Sequence, residues 1–180
     1  RLLRGKVGSC MEIGHMQVQA NGRLCGCGQT GCLETLASRL AISAEAAAAA
    51  YRGEAPHLLE LAGMDLRQIK SGVLAKAIRS GDQVLETIVR NAARHLGTAM
   101  AGVVNLLAPD VVVLGGGLVE ALPALYLKEV RSAIKDRAMK SFSKNLKVVV
   151  AELGDNAGVM GAAALASENG EGLMLRSGKQ

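Results

Sequence analysis

The stretch from Gly14 to Glu34, GHMQVQANGRLCGCGQTGCLE, sets His15 ahead of Cys25, Cys27 and Cys32, and no other feature limits so sharply what this chain can fold into. Three thiolates and an imidazole can close a tetrahedral shell around a structural zinc ion, which needs all four places filled when it does no chemistry. Gly26, Gly28 and Gly31 lie between or beside the sulfurs, where a backbone turning tightly around an ion favours residues free to adopt positive φ. The competing arrangement is a pair of disulfides, or unrelated buried thiols, since Cys10 brings the total to 4 cysteines. Cys25 and Cys27 are too close in sequence to bridge each other comfortably, and the zinc shell is the expectation.

The 180 residues suit one domain with a substantial core and are too few for two. Apolar residues make up 49% and charged residues 21%, which excludes a disordered tail. Tyr51, Tyr126 and Phe142 are the only aromatics, so the core is expected to be aliphatic and platforms for stacking bases are not. The net charge of +5 falls in mild clusters at Arg1 to Lys6, at Lys128 to Lys147 and in the tail, a pattern that reads as solvated faces rather than a nucleic-acid stripe. The most apolar region, Leu96 to Leu118, is interrupted by Asn105, Pro109, Asp110 and several glycines, so no membrane span is expected. Zinc-ready thiols without an export signal point to the cytoplasm.

Along the chain, Leu2 to Val7 is short and mixed, Gly8-Ser9 reads as a turn, and residues 15–19 alternate as a short strand would. A helix is expected to open over Cys32 to Ala37, a second from Ser43 through the alanine run, and short helical patterns over Asp65 to Ile69 and Ser71 to Ser80. Asp82 reads as the cap of the longest helix, through about Leu107, with a broad apolar face; His95 within it reads as an ordinary helix residue, not a ligand. Val111 to Leu114 and Leu146 to Ala151 read as strands buried in a parallel sheet, separated by a helix from Pro123 to about Ala138. Gly154-Asp155-Asn156 caps a last helix, Ala157 to Ser167, before a loose tail over 168–180. Helix, strand, helix, strand, helix predicts an α/β layer with parallel strands.

Glu12-Ile13-Gly14-His15, followed by C-x-C-G-x-x-G-C-x-E from Cys25 to Glu34, resembles the paired signature of the ROK family, the bacterial sugar kinases and sugar-responsive repressors. The resemblance continues through the glycine loop at Leu114 to Gly117 and the turn and helix from Gly154 to Ala163. It implies the carboxy-terminal lobe of an actin-like, ribonuclease H-like α/β fold with an inserted zinc loop, incomplete at its amino-terminal side. Residues 1–167 would form this lobe: a zinc and sugar loop over 8–38, a helical segment over 39–81 and a nucleotide-side layer over 82–167. The chain begins at Arg1, as the carboxy-terminal part of a longer protein would.

The resemblance also implies roles. Glu12 and Glu34 would contact sugar hydroxyls, and His15 would bind zinc through one ring nitrogen while its other faces the sugar. The plainer alternative is that both glutamates only support the zinc shell or cap helices. Gly115, Gly116 and Gly117 would lie against the adenosine of ATP, with Gly154 to Gly158 closing the other side; taken alone, three glycines are an ordinary strand-to-helix turn. ROK proteins usually have small residues where this chain has Cys10-Met11, which puts the sugar loop's backbone in question. No aspartate here sits in a catalytic motif, because the family's base and its D-x-G-G-T phosphate loop belong to the other lobe. The expected function is therefore the carboxy-terminal part of an ATP-dependent, glucokinase-like kinase acting on a hexose or amino sugar. Mg2+ would accompany ATP, the protein is expected to be a homo-oligomer, and the chain alone should be inactive. The alternative is the sugar-binding effector domain of a ROK repressor, the only reading that brings in nucleic acid.

Overall fold

The computed structural model describes residues 3, 5–6, 10–63, 65 and 67–176, with side chains through residue 167. The turn expected at Gly8-Ser9 and, of the segment Leu2 to Val7, residues Leu2, Arg4 and Val7 lie outside the described residues. Nine helices are described: α1 Glu34–Ala37, α2 Arg39–Tyr51, α3 Pro56–Ala62, α4 Ser71–Ser80, α5 Gln83–Leu107, α6 Gly117–Ala121, α7 Pro123–Arg137, α8 Lys140–Ser143 and α9 Ala157–Arg176. Strands β1 Val111–Leu114 and β2 Lys147–Val150 pair in parallel, with Val111 opposite Lys147 and Leu114 opposite Val150. The crossover between them passes through α6, α7 and α8, as a parallel pair requires.

Several boundaries differ from those expected, each for a local reason. Helix α2 starts at Arg39 because the Ser38 hydroxyl accepts from the Ala41 N–H at 3.1 Å, a standard cap. Ser43 lies inside that helix, buried, and donates to the Ile69 carbonyl at 3.1 Å. Asp82 precedes α5 but does not cap it; its buried carboxylate accepts from the His57 and Leu58 N–H groups and satisfies the start of α3. Residues 15–19 contribute only an isolated antiparallel bridge from Gln17 to Cys32. Among the described residues of the helical pattern expected over Asp65 to Ile69, Arg67 and Gln68 form a turn before α4 and none is helical. Helix α9 runs past Ser167 to Arg176.

The core is aliphatic, centred on Ile42, Leu58, Ile69, Leu74, Leu85, Val89, Val104 and Val130. Helices α5 and α7 cross so closely that a Cβ added at Gly97 would lie 2.6 Å from Ala133 Cβ. The sheet is not buried on both faces as expected. Val112, Leu114, Val148 and Val150 pack toward the core, whereas Val111 and Val113 are 45% and 57% exposed. Strand side chains alternate, and the core lies against one face only.

Candidate metal and sugar site

The loop that carries the cysteines is built on two short antiparallel contacts. Leu24 bridges Thr30, closing a tight turn in which the Cys25 N–H donates to the Gln29 carbonyl at 2.7 Å and the Gly28 N–H donates back to Cys25 at 2.9 Å. The bridge from Gln17 to Cys32 then brings the segment after His15 alongside, fastened by Leu33 N–H to the Met16 carbonyl at 2.9 Å. Gly31 makes the crossing possible: its φ is +71°, and a Cβ there would sit 1.7 Å from the Gln19 carbonyl oxygen.

The crossing gathers His15, Cys25, Cys27 and Cys32, whose ligand atoms all lie within 4.8 Å of one another. Cys27 Sγ is 3.7 Å from Cys32 Sγ, and Cys25 Sγ is 3.6 Å from His15 Nδ1. A tetrahedral zinc ion with ordinary bond lengths separates two sulfurs by roughly 3.8 Å and a sulfur from a nitrogen by roughly 3.5 Å. The four residues therefore fit zinc in type, number and spacing. The alternative of two disulfides does not match, because all four thiols are free and Cys10 stands apart with its Sγ directed to the Leu3 carbonyl at 3.3 Å.

The thiols differ in their surroundings. A backbone N–H at Gln29 favours the Cys27 thiolate and lowers its pKa, whereas burial pushes Cys32 up to about 11. A divalent cation offsets that burial by stabilising the thiolate form. The loop is also pinned to α2 by an ion pair that sequence reasoning missed, Arg23 to Glu45 at 2.8 Å. Both side chains are largely exposed, so the pair contributes at most about 1 kcal/mol.

Around this shell stand the expected sugar ligands. His15 points Nδ1 at Cys25, which leaves Nε2 off the cluster, and its side chain is exposed. Glu12 is exposed one turn earlier, its carbonyl accepting from the His15 N–H at 3.1 Å. Glu34 opens α1, and its Oε2 lies 3.0 Å from where a Cβ at Gly14 would be, so the glycine of E-x-G-H makes room for the second carboxylate. The Cys10-Met11 departure has a definite outcome: Met11 retains a left-handed backbone at φ +66°.

The triple glycine ends β1 and leads into α6. Gly116 has φ +104°, and a Cβ at Gly117 would lie 3.0 Å from Ser71 Oγ. The three glycines line a shallow concavity of about 230 Å3 with Arg39, Ser71 and Tyr126. Burial pushes the Tyr126 phenol up to about 12, so it remains a neutral donor. Neither Glu12, His15 or Glu34 nor Gly154 to Gly158 lines this concavity. No described helix is long and apolar enough to cross a membrane.

Comparison with known proteins agrees with this geometry. The DNA-binding transcriptional dual regulator NagC of Escherichia coli is 36% identical over 92% of the chain, which spans 39% of that protein. A glucokinase of Thermotoga maritima is 33% identical over 93% of the chain and 52% of its own length. In three dimensions, a ROK glucokinase from Streptomyces griseus in complex with glucose and AMPPNP superposes with a TM-score of 0.74 at 33% identity, over 92% of this chain and 54% of that one. A ROK transcriptional regulator homologous to E. coli MLC gives 0.71 at 29% identity, over 83% and 36%. The chain thus spans about half or less of these relatives, and its fold is a portion of the ROK, actin-like fold. With the ROK family also matching residues 1–169, the chain belongs to the ROK family.

Proposed function

We propose that this chain is the sugar-binding carboxy-terminal part of an ATP-dependent, glucokinase-like kinase acting on a hexose or amino sugar in the cytoplasm. The observation that carries the sugar reading is the placement of the Glu34 carboxylate against Gly14, within the same short segment as the exposed residues Glu12 and His15. Two charged acceptors and one ring N–H on a metal-pinned loop suit the hydroxyls of a pyranose. Zinc on His15, Cys25, Cys27 and Cys32 would be structural, holding that loop in place. Phosphoryl transfer needs a base and Mg2+ beside the γ-phosphate, and both would act with the amino-terminal half found in the longer relatives.

The glycine-lined concavity at the end of β1, with the Arg39 guanidinium beside it, supports the kinase over a binding domain that needs no nucleotide. A second reading, the effector domain of a sugar-responsive repressor, is favoured by the 36% identity to NagC. Gly116→Val separates them. In a protein carrying the amino-terminal half, it should weaken ATP binding while leaving sugar binding within about twofold. Sugar binding with no ATP affinity in the unsubstituted protein would overturn the kinase reading, and operator DNA released by sugar would support the repressor.

A further inference from the structure

The net charge of the chain is not spread over its surface. Residues 128–147 hold seven basic and two acidic residues, a net of +5, and the remaining fourteen basic and fourteen acidic residues cancel. The structure sharpens this imbalance. Glu129, one of the two acids, is only 4% exposed and accepts from Arg94 Nε at 2.7 Å and from Arg90, both on α5. Asp136 is left as the sole surface carboxylate of the segment.

The basic side chains are all exposed. Lys128, Arg131, Lys135 and Arg137 lie on α7, Lys140 and Lys144 on α8, and Lys147 opens β2. Among the described residues none of them forms a salt bridge, whereas Arg23, Arg52, Arg67, Arg90 and Arg94 elsewhere all do. Lys135, Lys140 and Lys144 line a concavity of about 560 Å3 together with Ser143 and Asp136, so three cations face one carboxylate there. Favourable interaction with a helix C-terminus accounts for Lys135 and Arg137 in the last turn of α7. It does not account for Lys140, which opens a helix, or for Lys128 near the start of α7.

We propose that the face formed by α7 and α8 docks the phosphate backbone of a duplex nucleic acid, without sequence preference. This goes beyond the sugar site and does not depend on it. The composition selects the partner. Lysines act as point charges toward phosphates, while bidentate reading of bases calls for arginine, and one of the two arginines here, Arg131, is engaged with the Val148 carbonyl. Phe142, 36% exposed, is the only aromatic in the segment, too little for the stacking that holds single strands.

The test uses this chain and a fluorescent DNA duplex of about 24 base pairs in two unrelated sequences, titrated between about 50 and 200 mM salt. The triple variant Lys135→Gln, Lys140→Gln, Lys144→Gln is compared with Lys6→Gln, Lys70→Gln, Lys76→Gln, which removes equal charge from other exposed positions. Both sequences should bind alike. The first variant should lose about tenfold or more in affinity at low salt and flatten the salt dependence by up to about 2.7 in slope, since each lost phosphate contact is worth about 0.9. The second variant should stay within about twofold. Equal losses in both variants, no binding at about 50 mM salt, or a strong preference between the sequences would each overturn the proposal. Tighter binding of poly-glutamate than of duplex, lost with the same three lysines, would overturn it in favour of an acidic polypeptide partner.

Discussion

The Glu34 carboxylate occupies the space that a side chain at position 14 would take, with Oε2 3.0 Å from the site of a Cβ on Gly14. The contact joins the two halves of the family signature, which lie apart in sequence and meet where the Cys32 bridge draws α1 against the His15 loop. Gly14→Ala should therefore push the flexible end of Glu34 aside by a few tenths of an ångström and leave the fold intact. We expect sugar affinity to fall about tenfold or more with bound zinc unchanged, measured by calorimetry and metal analysis in a protein carrying both lobes. Glu12→Gln and Glu34→Gln should each weaken sugar binding by about 1.5–3 kcal/mol, also without releasing metal. Zinc loss in either variant would make that glutamate a support of the shell instead.

Metal content checks the shell directly. The purified chain should carry one zinc that survives Cys10→Ser and disappears with Cys25→Ser, Cys27→Ser or Cys32→Ser, because only the latter three share the 4.8 Å cluster with His15. Chelation should lower thermal stability and abolish sugar affinity together, since the ion would hold the segment carrying His15 and Glu12 to Cys25, Cys27 and Cys32. Wild-type chain that contains no zinc, or that keeps it in all three variants, would refute the site.

Met11 holds a left-handed backbone that side chains rarely adopt, and its own side chain is 50% exposed. Met11→Gly should remove that strain and raise stability by about 1 kcal/mol in denaturant unfolding. A loss of stability instead would mean that the apolar surface the Met11 side chain covers in the groove it lines with Ile13, Met16, Leu106 and Leu107 outweighs the strain.

Glu129 is the most consequential buried charge. Burial raises its pKa, but hydrogen bonds from Arg94 and Arg90 outweigh this and hold the carboxyl below its usual value. A carboxylate whose pKa is lowered by folding stabilises the native state above the unfolded-state pKa, and that stability fades as pH falls through the folded value. Glu129→Gln should therefore cost about 3 kcal/mol near neutral pH and progressively less under acid, as thermal melts across pH would register. A deficit that stays constant down to strongly acid pH would show that packing, not charge, sets the role of Glu129.

That His15, Cys25, Cys27 and Cys32 gather into one cluster was legible because ligand type and spacing are local properties, and the C-x-C-G-x-x-G-C-x-E string holds the turn that makes them converge. The parallel pairing of Val111–Leu114 with Lys147–Val150 was legible for a similar reason: short apolar runs separated by a helix leave few other topologies. Tertiary structure decided what depends on partners distant in sequence. Asp82 looked like the cap of its own helix, but α3 packs its unsatisfied N–H groups against the same carboxylate and captures it. Val111 and Val113 looked buried, but alternation turns them away from a core that covers one face. The mild basic cluster from Lys128 to Lys147 read as an ordinary solvated face, and only packing against α5 showed that Glu129 is withdrawn to Arg90 and Arg94. Spacing along the chain specifies groups that turn and coordinate locally; which charges and apolar faces remain for solvent is set by what folds on top of them.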